Sequence, residues 1–206
     1  MGIYDRYLLP HIIHLGCGAE TIRAQRKKVV PLAEGRVVEI GMGSGLNLPY
    51  YDTKKVDVIW GIEPSEGMRK KARKNLGRSA IKVRWLSICG EEIPLGDNSA
   101  DTILLTYTLC TIPDWHTALR QMYRILTFGG KLLFCEHGVS PDASILAWQN
   151  RINPVWRKLC GGCHLNRPIP EYIEKGGFHI QTMETHYLPK VPRVAGFHYV
   201  GIAKKV

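Results

Sequence analysis

Two stretches of the 206-residue chain place chemically capable residue types at short spacing. The first is Cys160-Gly161-Gly162-Cys163-His164. Read as C-x-x-C-H, it matches the attachment string of a c-type haem, and its thiols also suit half of a zinc site or a redox dithiol. The second is Glu39-Ile40-Gly41-Met42-Gly43-Ser44-Gly45, which follows the apolar run of Val37 and Val38. Glycine is needed where backbone turns with positive φ or approaches a ligand closely. In a doubly wound sheet such a loop marks a nucleotide-type ligand beyond the carboxyl ends of the strands. The spacing is G-x-G-x-G, with Leu46 where a dinucleotide fingerprint has its third glycine, and no G-x-x-x-x-G-K-[ST] phosphate loop occurs. Glu63 follows at the distance where a carboxylate binds ribose hydroxyls, about twenty residues after the loop.

The N-terminal sequence MGIYDRYLLPHIIHLGCGAE has no basic leader, and Pro10, His11 and His14 interrupt its short apolar run. It reads neither as a signal peptide nor as a membrane span. Arg6 also stands where a myristoylation pattern wants Ser or Thr. The expectation is a cytoplasmic protein, which removes the usual compartment for haem attachment. A zinc site wants about four ligands, and no second C-x-x-C exists; no metal is expected. Regulatory oxidation of Cys160 and Cys163 stays open.

The elements that must position these residues follow from periodicity. Residues 1–34 read as one or two helices, closed by Pro31 and Gly35. Strand-like runs are RVVEI, KKVDVIWGI, IKVRWLS, DTILLTYTL, KLLFCEH, FHIQTMET and FHYVGIAKK. Between them lie helical patterns at 65–76, 114–126 and 142–160, with Gly77 and Gly129-Gly130 as stops, Asp114 as a cap and Pro154 as a bend. Strands alternating with helices predict an α/β, doubly wound parallel sheet with helices on both faces. One domain is expected, because no linker, repeat or low-complexity segment appears.

Composition is that of a globular chain: 45% hydrophobic, 22% charged and six cysteines. Cys89, Cys110 and Cys135 sit in or beside apolar runs, so no disulfide framework is indicated. The net charge of +10 favours anionic partners, but the basic residues are dispersed, and the densest run, Arg69 to Lys74, suits one exposed helix face. No interleaved aromatics form a stacking surface, so no nucleic-acid partner is expected. Peripheral contact with an anionic membrane is a further expectation. The oligomeric state is left undetermined.

With EIGMGSGLN, GIEPSEGM, GEEIPLGDNSAD, LTYTLCTIPD and RILTFGGKLLFCEH in this order, residues 36–138 resemble the class I S-adenosylmethionine-dependent methyltransferases of the type 11 family. The resemblance implies a Rossmann-like, seven-stranded, mostly parallel sheet with an antiparallel final strand. It also implies a helical N-terminal lid (1–34), a cofactor-binding core (35–138) and a substrate-side helix with closing strands (139–206). The implied cofactor is S-adenosylmethionine, with S-adenosylhomocysteine as product. Its methionine part would lie by Glu39, Gly41, Gly43, Gly45 and Asn47, its ribose on Glu63, and its adenine beside Pro64 and Ser65. Many members carry an Asp where Cys89 stands, which leaves the backbone of Gly90 and Glu91 to hold adenine. Thr106 and Leu109 would line the methionine side.

Farther on, NPVWRKLCGGCHLNR, the EKGGF helix end and HYVGIAKK are similar to the methyltransferase-like enzymes that alkylate small thiols. Those relatives carry a hydrophobic N-terminal anchor, for which this chain shows no convincing counterpart. Cys163 matches the cysteine of their G-C-x-L-x-R segment, and Cys160 is the extra thiol that completes C-x-x-C-H. The resemblance implies methyl transfer to a small-molecule acceptor, a thiol first. Phospholipid head-group amines, quinone precursors and other small metabolites are the alternatives, and a non-catalytic cofactor-binding protein is the reading from a different class. A thiol reacts as its thiolate. His137, at the end of the fifth strand beside Glu136, is the candidate that orients or deprotonates it. Tyr4, Tyr7, His11 and Cys163 are the candidate substrate-side residues.

Overall fold

The computed structural model describes residues 4–86 and 88–205. Ser87, the last residue of the expected third strand, and residues 1–3 of the expected N-terminal helix lie outside the described residues. The strands are β1 (Gly35–Ile40), β2 (Val56–Ile62), β3 (Val83–Leu86), β4 (Ala100–Thr106), β5 (Leu126–His137), β6 (Phe178–Tyr187) and β7 (Phe197–Lys205). They form one sheet in the order β3-β2-β1-β4-β5-β7-β6. β1 to β5 pair in parallel, and β7 runs antiparallel between β5 and β6. The helices are α1 (Leu9–Cys17), α2 (Glu20–Val29), α3 (Glu66–Leu76), α4 (Trp115–Ile125), α5 (Ala143–Leu159), α6 (Ile169–Lys175) and the short α7 (Arg193–Gly196). The expected sheet and its antiparallel final strand are therefore present.

Successive strand residues face opposite sides of a sheet, and the two faces bury different partners. Val38, Ile40, Ile103 and Leu105 pack with Ala118, Leu119, Met122 and Ile125 of α4 and with Ile169 and Ile173 of α6. Val37, Leu104, Leu133 and Cys135 pack with Val29 at the end of α2 and with Val30 and Ala33 beyond it. Each fully buried Leu or Ile contributes about 1.5–3 kcal/mol relative to exposure. The apolar centre strands thus fix β1 and β4 side by side, and chain order reverses between them. That crevice is where open α/β sheets bind ligands.

Two element boundaries differ from expectation. The Gly129-Gly130 pair does not end a helix: α4 stops at Ile125, and Leu126 is already extended and paired with Ala100. A register shift between Ala100 and Thr102 absorbs the extra residues of the Thr127–Gly130 stretch. β4 stops at Thr106 rather than running to Leu109, because Tyr107 takes a left-handed φ of 57° and the chain turns out of the sheet. The basic run of α3 behaves as expected, with only Met68 and Ala72 buried. Among the described residues no helix is long and apolar enough to cross a membrane.

Candidate active site

The glycine loop leaves β1 with Gly41, Gly43 and Gly45 at φ of 67°, 58° and 71°. L-residues rarely adopt that region. A Cβ at Gly41 would also run into the Thr108 side chain. Both facts make the loop a cradle of bare backbone. The Glu63 carboxylate closes it: Oε2 accepts from Gly43 N at 2.9 Å and Oε1 from Ser65 N at 2.8 Å. Burial raises the pKa of Glu63, and the two backbone N–H groups oppose that rise. Ser65 caps α3 by accepting from Met68 N at 3.3 Å, with Pro64 exposed beside it. Arg69 Nη1 donates to the Glu63 carbonyl at 2.6 Å, fixing the turn after β2.

Glu39 is buried beneath the loop. Its Oε1 accepts from Asn47 Nδ2 at 2.9 Å and its Oε2 from the Tyr51 hydroxyl at 2.7 Å. Burial pushes its pKa up to about 7, against the pull of Tyr51, Asn47 and Arg26. Asn47 Nδ2 also donates to Thr106 Oγ1 at 2.9 Å. The expected methionine-side residues Glu39, Asn47 and Thr106 are thus one hydrogen-bonded group. Its centre is a residue that sequence reading missed. Arg26 of α2 is 5% exposed; its Nη1 donates to Asn47 Oδ1 at 2.8 Å and Thr106 Oγ1 at 2.7 Å. Its guanidinium lies 5.1 Å from the Tyr107 ring centroid, and its Nε is buried without a partner. In sequence Arg26 sits in the basic string RAQRKK, which reads as a solvated helix face.

The adenine-side segment is a turn, with Gly90 packed close to Ile40 and Cys89 exposed. Glu92 N donates to Cys89 O at 3.3 Å, and Glu91 is half-buried.

The edge beyond β4 and β5 is held by a third buried carboxylate. Glu136 Oε1 accepts from Thr108 N at 2.7 Å and Leu109 N at 3.0 Å, and Oε2 from Cys110 N at 3.4 Å. Leu109 is fully buried. Arg167 clamps the same loop, donating to the Leu109 carbonyl at 2.5 Å and the Ile112 carbonyl at 2.6 Å. His164 N donates to Cys110 O at 2.9 Å, which lays the Cys160–His164 segment along the β4 exit loop. Gln149 and Asn153 of α5 hold that segment from behind, through the Leu165 carbonyl and the Leu165 N–H.

This framework brings His137 to Cys163. His137 Nε2 lies 3.1 Å from Cys163 Sγ, and Cys110 Sγ lies 3.7 Å from the same sulfur. The Cys163 pKa is lowered, by the Cys110 thiol and then by the charge and hydrogen bond of His137, with burial opposing. Burial alone would lower the His137 pKa; Cys163 overrides it and the net direction is upward. Both directions favour the thiolate–imidazolium form of the pair. His137 Nδ1 is buried without a partner. Of the C-x-x-C thiols, Cys163 faces Cys110 and His137, while Cys160 is half-buried with its backbone N–H on Trp156 O at 2.8 Å.

The N-terminal residues divide. Tyr4 donates to the Leu159 carbonyl at 2.5 Å, at the end of α5, and Leu9 packs over Gly161. His14 Nδ1 lies 2.7 Å from Ser44 Oγ of the glycine loop. Tyr7 and His11 line a surface groove with Glu66, Lys70 and Lys71, and His11 Nδ1 meets Lys71 Nζ at 2.8 Å. Those two are directed to α3, whereas Tyr4, Leu9 and His14 bear on the site's own loops.

A glycine cradle, an acid at the end of β2 and a polar edge at the β1/β4 switch point define a class I methyltransferase. Residues 38–134 match the family model described as a methyltransferase domain. The chain is 31% identical over 177 residues to the thiol S-methyltransferase TMT1B of Rattus norvegicus, covering 84% of this chain and 71% of that protein. It is 27% identical over 180 residues to the thiol S-methyltransferase TMT1A of Homo sapiens, covering 85% and 72%. An S-adenosylmethionine-dependent methyltransferase of Thermotoga maritima superposes with a TM-score of 0.68 at 23% identity, covering 99% of this chain and 98% of that one. The chain belongs to the S-adenosylmethionine-dependent methyltransferase family and is an enzyme of that class, with S-adenosylmethionine as its methyl donor.

Proposed function

We propose that this methyltransferase alkylates the sulfur of a small, partly apolar thiol. The observation that carries the reading is the His137–Cys163 pair, an imidazole 3.1 Å from a sulfur at the carboxyl end of β5. A site that holds one sulfur against an imidazole at this edge of the sheet is chemically suited to a second. The naming of relatives at 27–31% identity as thiol S-methyltransferases supports the same acceptor.

S-adenosylmethionine supplies an electrophilic methyl on a sulfonium. The chain's own work is to bind, orient and exclude water. Gly41, Gly43 and Gly45 give backbone approach; Glu63 takes the ribose hydroxyls; Pro64, Ser65 and the Cys89–Glu91 turn flank the adenine. The methionine carboxylate falls to Arg26, a buried cation whose hydrogen-bond partners, Asn47 and Thr106, are neutral. Leu109 and Thr106 line the methyl side. The His137–Cys163 pair marks where the acceptor sulfur would approach, with Glu136 holding the loop opposite. Tyr4 and Leu9 of α1 cover the Gly161 side, while Tyr7 and His11 face α3.

The test is S-adenosylhomocysteine release with matched thiol, amine, phenol and phospholipid acceptors. Turnover on thiols and none on lipid amines supports the reading. Turnover on dispersed phosphatidylethanolamine alone would move the enzyme to membrane chemistry.

A further inference from the structure

The Cys110–His137–Cys163 cluster has a geometry that a thiolate–imidazolium pair does not require. Its three donor atoms, two sulfurs and one imidazole nitrogen, all lie within 4.8 Å of one another. Cys110 Sγ and Cys163 Sγ are 3.7 Å apart, and His137 Nε2 is 3.1 Å from Cys163 Sγ. A tetrahedral zinc ion with Zn–S of about 2.3 Å and Zn–N of about 2.0–2.1 Å spaces its donors about 3.5–3.8 Å apart. The two sulfurs already sit at that separation, and the nitrogen needs a shift of a few tenths of an ångström. The three ligands come from three separate segments, each independently braced. Glu136 and Arg167 pin the Cys110 loop, β5 carries His137, and Gly161 and Gly162, at φ of 60° and 88°, turn the chain that presents Cys163.

We propose that Cys110, His137 and Cys163 form a zinc site whose fourth position takes the acceptor thiol. This rests on the thiol reading above and deepens it. Two Cys and one His with an open position is a catalytic rather than a structural zinc pattern. The protonation accounts balance. Zinc binding releases two protons to solvent, one from the Cys110 thiol and one from the His137–Cys163 pair. The two thiolates neutralise the ion, which limits the cost of burying it. The acceptor thiol then binds through sulfur and loses its proton to water. Its sulfur bonds to the methyl carbon as the carbon–sulfonium bond breaks, leaving S-adenosylhomocysteine and a neutral thioether, a poor ligand that departs. Nothing is oxidised or reduced. The metal would lower the pKa of the bound acceptor thiol as it does that of bound water.

The test is made on the full chain loaded with cobalt(II), which reports tetrahedral thiolate ligation by its visible and near-ultraviolet absorption. One equivalent should bind with a thiolate charge-transfer band. C110S and C163S should each weaken that band by about half or abolish binding, while C160S leaves it unchanged. Adding a small thiol without S-adenosylmethionine should shift the spectrum, since a third sulfur enters. Circular dichroism confirms that the variants fold; if C110S or C163S does not, the wild-type stoichiometry and the thiol-induced shift decide. No band in wild type, or a band untouched by folded C110S and C163S, overturns the zinc site. Thiol turnover undiminished after exhaustive chelation overturns its catalytic role and leaves the thiol reading standing. Metal binding as described without turnover on any thiol keeps the site and removes that reading.

Discussion

Arg26 on α2 donates through Nη1 to both Asn47 of the glycine loop and Thr106 at the end of β4, at 2.8 and 2.7 Å. One buried cation therefore joins the N-terminal helices to the two strand ends that frame the cofactor crevice. R26M should weaken S-adenosylhomocysteine binding about 10–100-fold, the loss of one charge-assisted contact of about 1.5–3 kcal/mol. Binding of methylthioadenosine, which has no carboxylate, should change by less than about threefold. Calorimetry with the two ligands separates a carboxylate contact from general loosening, which would weaken both alike.

Glu63 links the ribose position to the loop through Gly43 N. E63A removes the charge and frees two backbone donors, and cofactor affinity should fall by about 10²-fold, equivalent to about 2.7 kcal/mol. E63D should recover only part of that, because the shorter acid does not reach Gly43 N in the same geometry. Equal affinity in E63A and wild type would detach Glu63 from the cofactor.

Glu39 predicts a pH dependence. Its folded pKa, pushed up mainly by burial, is about 7, well above the ordinary carboxylate range. A raised carboxyl pKa favours the folded state in its protonated form. The contribution is therefore complete below about pH 4.5 and is lost as pH rises through about 7. E39Q should flatten the dependence of unfolding free energy on pH over that window, measured by urea denaturation. A wild-type slope retained in E39Q would place the titration elsewhere.

Gly161 sits at φ of 60°, and a Cβ there would lie 2.8 Å from Leu9 Cδ2 of α1. G161A should destabilise by about 1–3 kcal/mol through backbone strain and displaced packing. It should also lower turnover more than cofactor affinity, since the loop carries Cys163. An unchanged unfolding midpoint would show that the loop relaxes freely.

The glycine loop, the acid at Glu63 and the Asp114 cap were legible because each depends on local backbone: positive φ, a strand end, a helix start. The alternation of strands and helices along the chain followed from periodicity for the same reason. Arg26 was not legible, since its role depends on contacts 21 and 80 residues away in sequence. Residues 126–130 misled because two glycines mimic a helix stop, while the bulge that absorbs them is set by pairing with β4. The string C-x-x-C-H sets Cys163 beside Cys160 in sequence, but the fold gives it other neighbours. Cys163 meets Cys110, 53 residues earlier, and His137, 26 earlier, rather than completing a local motif with Cys160. Tertiary clusters of this kind carry no spacing rule.

The most direct test of the account is single-turnover methyl transfer from S-adenosylmethionine to a small aromatic or aliphatic thiol, in wild type and in H137A. The account predicts transfer to thiol sulfur in wild type, and in H137A a rate about 10²–10⁴-fold lower, the usual contribution of a positioned acid–base group, with cofactor affinity retained. Equal rates in the two proteins, or transfer to amines but not to thiols, would contradict it.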